Sequence, residues 1–271
     1  MRSYRWFPLL LALIVAADLP AQQAGSAGSA TQKSSPATVK LSKLPPAVRD
    51  EIDRLASDDP GKMATAATSL GEMGEAAIPA IPFLVKALED PSKVFSMEEG
   101  ESRVCDVALS ALKKLGAPAR DAVLEALNRK FDLLKAGEDP IYLDKYMDAA
   151  GKMKDRRAFP LLLEVSKHKE WHEWAASSLG ELGDTRAVEP LIEILKSGKQ
   201  EYMVVTALGQ LKDPRAVEPL IAALADDEKV QYHVVPQNFR LALKNITGQN
   251  FNPSKERAAW WAKNKDSLKR E

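Results

Sequence analysis

The chain repeats itself. The segment "LGELGDTRAVEPLIEIL" (179–195) returns as "LGQLKDPRAVEPLIAAL" (208–224), with 12 of 17 positions identical at an offset of 29 residues. A period of this length marks stacked supersecondary units, each with an apolar face that only its neighbour can cover. That excludes a single closed core wrapped by unrelated elements. Within the period, apolar residues recur three and four positions apart, the spacing of amphipathic helices, and no stretch alternates at period two for long enough to make a strand.

Traced outward, the Leu-Gly pair of Leu179 and Leu208 has counterparts at Leu70-Gly71, Leu112 and Ala150-Gly151, with a degenerate copy at "ITGQN" (246–250). A helix of small residues precedes each pair, as in "ATAATSLGEMG" and "WHEWAASSLGELG". An amphipathic helix follows, as in "RAFPLLLEV" and "RAVEPLIAAL". Asp184 and Asp213 are placed to cap the second helix by accepting its unpaired N–H groups. Pro160, Pro190 and Pro219 fall at matched sites in or just after its first turn, where a missing N–H costs little. Small side chains in the first helix let the neighbouring helix approach closely.

Paired small residues, Leu-Gly, Leu, then Asp-x-Arg-Ala-Val-x-Pro-Leu together resemble the bacterial HEAT repeat, in the short subtype named after phycobilin lyases. The resemblance runs over about 44–247 and is strongest over 152–224. It implies an all-α superhelix, a HEAT-like solenoid of about six helix pairs. The expected organisation is a repeat region at 44–252 closed by a C-terminal cap helix and tail at 253–271, where Trp260 and Trp261 would cover the last apolar face. The segment "EDPSKVFSMEEGESR" reads as an unusually long inter-unit loop, its "MEEGES" part a solvated connection.

At the N-terminus, Arg2 and Arg5 precede an apolar run at 6–17 and then small residues. This layout predicts a secretory signal peptide at 1–21, cut after Ala17 or Ala21, and export to the periplasm or extracellular space. The run is shorter than the ~20 apolar residues of a spanning helix, so no membrane insertion is expected after cleavage. Residues 22–43, rich in Gly, Ser, Ala and Thr, read as a flexible linker. Lys plus Arg and Asp plus Glu are both 38, which argues against a nucleic-acid partner, since phosphate binding needs a basic field. The single Cys105 sits among helical apolar residues and reads as a small core side chain.

One stretch could hold a metal: in "HKEWHEW", His168 and His172 stand one helical turn apart with Glu173 adjacent. A HEAT-repeat enzyme class, deoxyhypusine hydroxylase, carries His-Glu pairs before the small-residue helix in four repeats to bind two irons. His172-Glu173 matches that place, but Leu143-Asp144 and Glu201-Tyr202 stand in the matching positions of the flanking repeats. One pair of four supplies no di-iron site. The plainer reading is two solvent-facing histidines at a helix start. Phosphate loops, nucleophile elbows and Cys-x-x-Cys pairs are absent from the sequence, so no catalytic residue and no cofactor is expected.

What remains is surface. The resemblance implies that the small-residue helices line the concave face. Five residues before each Leu of Leu-Gly stand Thr65, Val107, Lys145, Trp174 and Met203, and one earlier in the last of these repeats stands Tyr202. Trp174, Tyr202 and Met203, with Lys145, are the candidate partner-binding residues, an aromatic cluster of the kind that anchors interfaces. The expected activity is that of a non-catalytic protein-interaction scaffold binding a protein or peptide. The alternative is a metal-dependent or bilin-lyase-related enzyme on the same fold.

Overall fold

In the computed structural model, the described residues are 41–96, 100–197, 202–227, 236–250 and 259–264. The expected signal peptide, most of the linker (22–40), residues 97–99 of the acidic loop, and 253–258 and 265–271 of the expected cap lie outside them. The chain divides between Leu115 and Gly116 into two compact units.

The first unit contains α1 (Pro46–Leu55), α2 (Pro60–Glu72), a 3-10 helix (Gly74–Ala80), α3 (Ile81–Ala87), strands β1 (Lys93–Ser96) and β2 (Gly100–Arg103), and α4 (Val104–Leu115). The second contains α5 (Ala117–Lys135), α6 (Leu143–Lys152), α7 (Phe159–Val165), α8 (His172–Leu182), α9 (Val188–Lys196), α10 (Tyr202–Leu211), α11 (Val217–Asp227) and α12 (Pro236–Thr247). Residues 259–264 are helical and bury Trp261. Within each unit the helices stack as in an all-α solenoid. The inner, small-residue helices pack on one another, α2 on α4 and then α6, α8, α10 and α12 in succession. The outer helices α5, α7, α9 and α11 each cover the inner helix that follows. Leu70, Leu112, Leu179, Leu208 and Leu243 on the inner row, and Leu84, Leu127, Leu162, Leu191 and Leu220 on the outer, are fully buried. Burying each such leucine contributes roughly 1.5–3 kcal/mol.

The glycine of Leu-Gly is the point of closest approach. A Cβ built on Gly71 would lie 2.8 Å from the Ala111 backbone, on Gly151 2.6 Å from the Ser178 carbonyl oxygen, and on Gly180 and Gly209 2.7 Å from the Cα atoms of Ala207 and Ala242. No side chain fits in those gaps, so glycine sets the spacing of the inner row. Each glycine meets the residue just before the leucine of the next repeat. This register corrects the assignment of the last copy: the counterpart of Leu-Gly is Leu243-Lys244, and "ITGQN" lies beyond it. Lys113 on α4 and Lys244 on α12 hold the glycine position on the last inner helix of their units, and both are exposed. Arg240, one turn before Lys244, is exposed where its counterparts Ala176 and Val205 are buried.

The outer helices α7, α9 and α11 open through 3-10 turns at Arg156–Ala158, Thr185–Ala187 and Pro214–Ala216. Asp184 and Asp213 cap these turns as expected, each accepting from the backbone N–H two residues on, and Asp155 repeats the device. Pro160 occupies the first turn of α7, and Pro190 and Pro219 those of α9 and α11. The residue before each Asp is left-handed: Lys154 at φ 55°, Gly183 at φ 73° and Lys212 at φ 53°. Glycine takes that conformation without strain, and two lysines hold the same position.

The long loop departs from expectation, because it contains an antiparallel hairpin. Lys93 pairs with Arg103, Val94 with Ser102, Phe95 with Glu101 and Ser96 with Gly100. Strands of four residues are too short for alternation to reveal. The hairpin base completes α4: Val104 and Cys105 donate their backbone N–H groups to the carbonyls of Ser92 and Asp90, at 3.0 and 3.1 Å. Those are orphan donors of a helix start, satisfied here by backbone.

Candidate functional site

The strongest electrostatics lie on the outer side of the second unit, and they join repeats. In each Asp-x-Arg, the carboxylate accepts from the arginine's backbone N–H and from its guanidinium: Nη2 to Oδ2 is 2.7 Å at Arg157–Asp155, 2.6 Å at Arg186–Asp184 and 2.8 Å at Arg215–Asp213. The guanidinium then reaches back to the preceding repeat. Arg157 pairs with Asp121 at 2.7 Å, Arg186 lies 4.2 Å over the Phe159 ring, and Arg215 donates to the Thr185 carbonyl at 3.1 Å. These guanidinium hydrogen bonds hold Asp155, Asp184 and Asp213 below the usual carboxylate range, against the opposing effect of burial. Both oxygens of each carboxylate accept hydrogen bonds within the fold, so these groups act as structural clamps.

His168 meets the edge of Phe131, ring centroids 6.5 Å apart. His172 opens α8 with Nδ1 2.6 Å from the Lys169 carbonyl oxygen, and Glu173 follows it, partly buried. Among the described residues, no three His, Cys, Asp or Glu side chains gather as a possible metal site. The sequence motif thus places two imidazoles on one turn without assembling further ligands around them.

The inner helices present a different surface. On α6 it is charged and internally neutralised, with Lys145 paired to Asp144 at 3.1 Å and Lys152 to Asp148 at 2.9 Å. On α8 and α10 it becomes aromatic. Trp174 is 44% exposed and Tyr202 58%, with Met203 half-buried beside the latter. Ser178 and Thr206 donate to the carbonyls of Trp174 and Tyr202 one turn back, at 3.0 and 2.8 Å, so the hydroxyls near the aromatics are engaged within their own helices. With the last repeat in its correct register, Gln237 and Asn238 on α12 occupy the places of Tyr202 and Met203. Leu241, 56% exposed, stands one turn after Gln237. These three are hidden in the sequence, where "ITGQN" resembles the last Leu-Gly more than Leu243-Lys244 does. The small residue before a leucine, Ala242-Leu243, was the signal that could have found them.

In the first unit, an open cleft of about 320 Å³ lies over the seam of α2 and α4. Thr68, Ser102 and Ser110 line it with Glu72, Asp106 and Lys114, and β2 contributes Ser102 as one wall. Its charges are compensated: Lys114 stands 3.7 Å from Glu72, and Arg103 2.9 Å from Asp106.

Against known families, a model described as HEAT repeats matches residues 173–235. Over this segment the chain is similar to HEAT repeats. The match covers the helices that carry Trp174, Tyr202 and Met203, and HEAT repeats commonly serve as protein-interaction scaffolds. A search of curated proteins finds no match. Among the described residues, no helix is long and apolar enough to cross a membrane.

Proposed function

We propose that the chain is a non-catalytic protein-interaction scaffold, exported to the cell envelope, that binds a protein or peptide on the inner helices of its second unit. Trp174 and Tyr202, with Met203 beside them, form the anchor, and Lys145 lies at its charged border. The observation that carries this reading is the exposure of two large aromatics on consecutive inner helices of an otherwise well-packed stack. Clustered exposed aromatics are the usual energetic centre of interfaces. Balanced charge supports a partner other than nucleic acid, and the basic-then-apolar start of the sequence supports export. The 29-residue period with its Asp-x-Arg-Ala-Val-x-Pro-Leu core supports the short, phycobilin-lyase-type class of HEAT repeat.

Cross-linked capture of partners from the cell envelope tests the reading. The double variant Trp174→Ala, Met203→Ala is expected to weaken capture at least tenfold with the far-ultraviolet helical signal intact. Capture unchanged by both substitutions would remove the inner face from consideration.

A further inference from the structure

The surface around Trp174 and Tyr202 has a specific chemistry. Helix α10 contains no charged residue at all. The solvent-facing positions of α12 that continue its row are Gln237, Asn238, Leu241 and Asn245, again uncharged. Three of the six exposed large apolar side chains among the described residues, Trp174, Tyr202 and Leu241, therefore stand on three successive inner helices. Charges enter this row on α8 alone, where Glu173 and Glu181 hold the places of Tyr202 and Gln210. Glu181 on α8 already accepts from Gln210 at 3.1 Å, Glu173 flanks Trp174, and Arg240 and Lys244 lie on the far flank of α12.

We propose that this face extends across α8, α10 and α12 to Leu241, and that its occupant is an uncharged peptide segment presenting apolar side chains between amide-rich margins. The inference rests on the scaffold reading above and names the class of partner. A charged side chain laid on α10 would lose its hydration with no counter-charge to meet it, whereas an apolar one removes area from water on both sides. Gln210, Gln237, Asn238 and Asn245 offer both donors and acceptors, which suits a peptide backbone better than a carboxylate or an ammonium group.

Selection of a phage-displayed library of random 12-residue peptides on the purified chain tests this. Enriched peptides are expected to be depleted of Asp, Glu, Lys and Arg and enriched in aromatic and aliphatic residues. As synthetic peptides they should bind with less than about a twofold change between 50 and 500 mM NaCl, since screening acts on charge pairs alone. Leu241→Asp, at an exposed helical site, is expected to weaken them at least tenfold, and Arg240→Ala to leave them unchanged. Peptides that need Trp174 but carry a charged consensus, lose affinity with salt, or ignore Leu241→Asp would overturn this inference and leave the scaffold reading standing. Failure to enrich any peptide sensitive to Trp174→Ala would overturn both.

Discussion

The two units share one device and differ in another. Both bring their inner helices together at a glycine with no room for a side chain, Gly71 in the first and Gly151, Gly180 and Gly209 in the second. Only the second adds the Asp-x-Arg clamp. In the first, the 3-10 helix at Gly74–Ala80 has no side-chain cap, and a hairpin between α3 and α4 supplies the start of α4 from its backbone. The shared seam sets how closely helices stack, while the clamp ties each outer turn to the repeat before it. Regularity in the second unit thus has a cause beyond the seam, and it leaves the inner face free for side chains unneeded by the fold.

The largest expected effect breaks the shared part. Gly180→Leu forces a side chain against Ala207 and Gln210 and should cost about 3 kcal/mol, as over-packing does at its upper range. Gly71→Leu, against Ala111, should cost a similar amount in the first unit. Lys244→Leu, at the same repeat position where no inner helix follows among the described residues, should stay within about 0.5 kcal/mol. Urea unfolding midpoints check all three.

A smaller effect isolates what the second unit has alone. Asp184→Ala removes a helix cap and the anchor of Arg186, and is expected to cost about 1–2 kcal/mol in the same urea series. Asp184→Asn keeps an acceptor for the Arg186 backbone N–H and should cost less. Glu75→Ala, in the uncapped 3-10 helix of the first unit, should be near neutral.

The smallest effect is in acid. The carboxylates of Asp155, Asp184 and Asp213 have lower pKa values folded than unfolded, so unfolding takes up protons wherever the unfolded groups are protonated. Their stabilisation is complete above the ordinary carboxylate range near about 4 and is lost as pH falls through the depressed values. Urea midpoints of the wild type and Asp184→Asn should therefore differ at pH 7 and converge towards pH 2. A gap that stays constant across this range would separate the clamp from its charge.

The second unit was legible in sequence where its repeats agree: the 29-residue period gave the helix pairs, Asp184 and Asp213 were identified as caps, and the prolines fell where expected. Two features were hidden. The hairpin rests on four-residue strands, whose pattern says little, and on backbone bonds to Ser92 and Asp90 that no residue type announces. The last repeat was misplaced because its glycine position is a lysine, a change that reads as loss of the motif until Ala242 is seen against Gly209. Of the candidate site, the structure places Trp174 and Tyr202 at the surface and engages Lys145 with Asp144. Leu241 was lost with the register.

Phe95, on β1 of the first unit, is 76% exposed, more than either aromatic of the inner face, so exposure alone does not decide which unit binds. A photoreactive amino acid placed at 202 in one chain and at 95 in another, irradiated in intact cells, is the most direct measurement. The account predicts a discrete protein adduct from position 202 and none from position 95. An adduct from position 95 alone, or equal labelling from both, would contradict it.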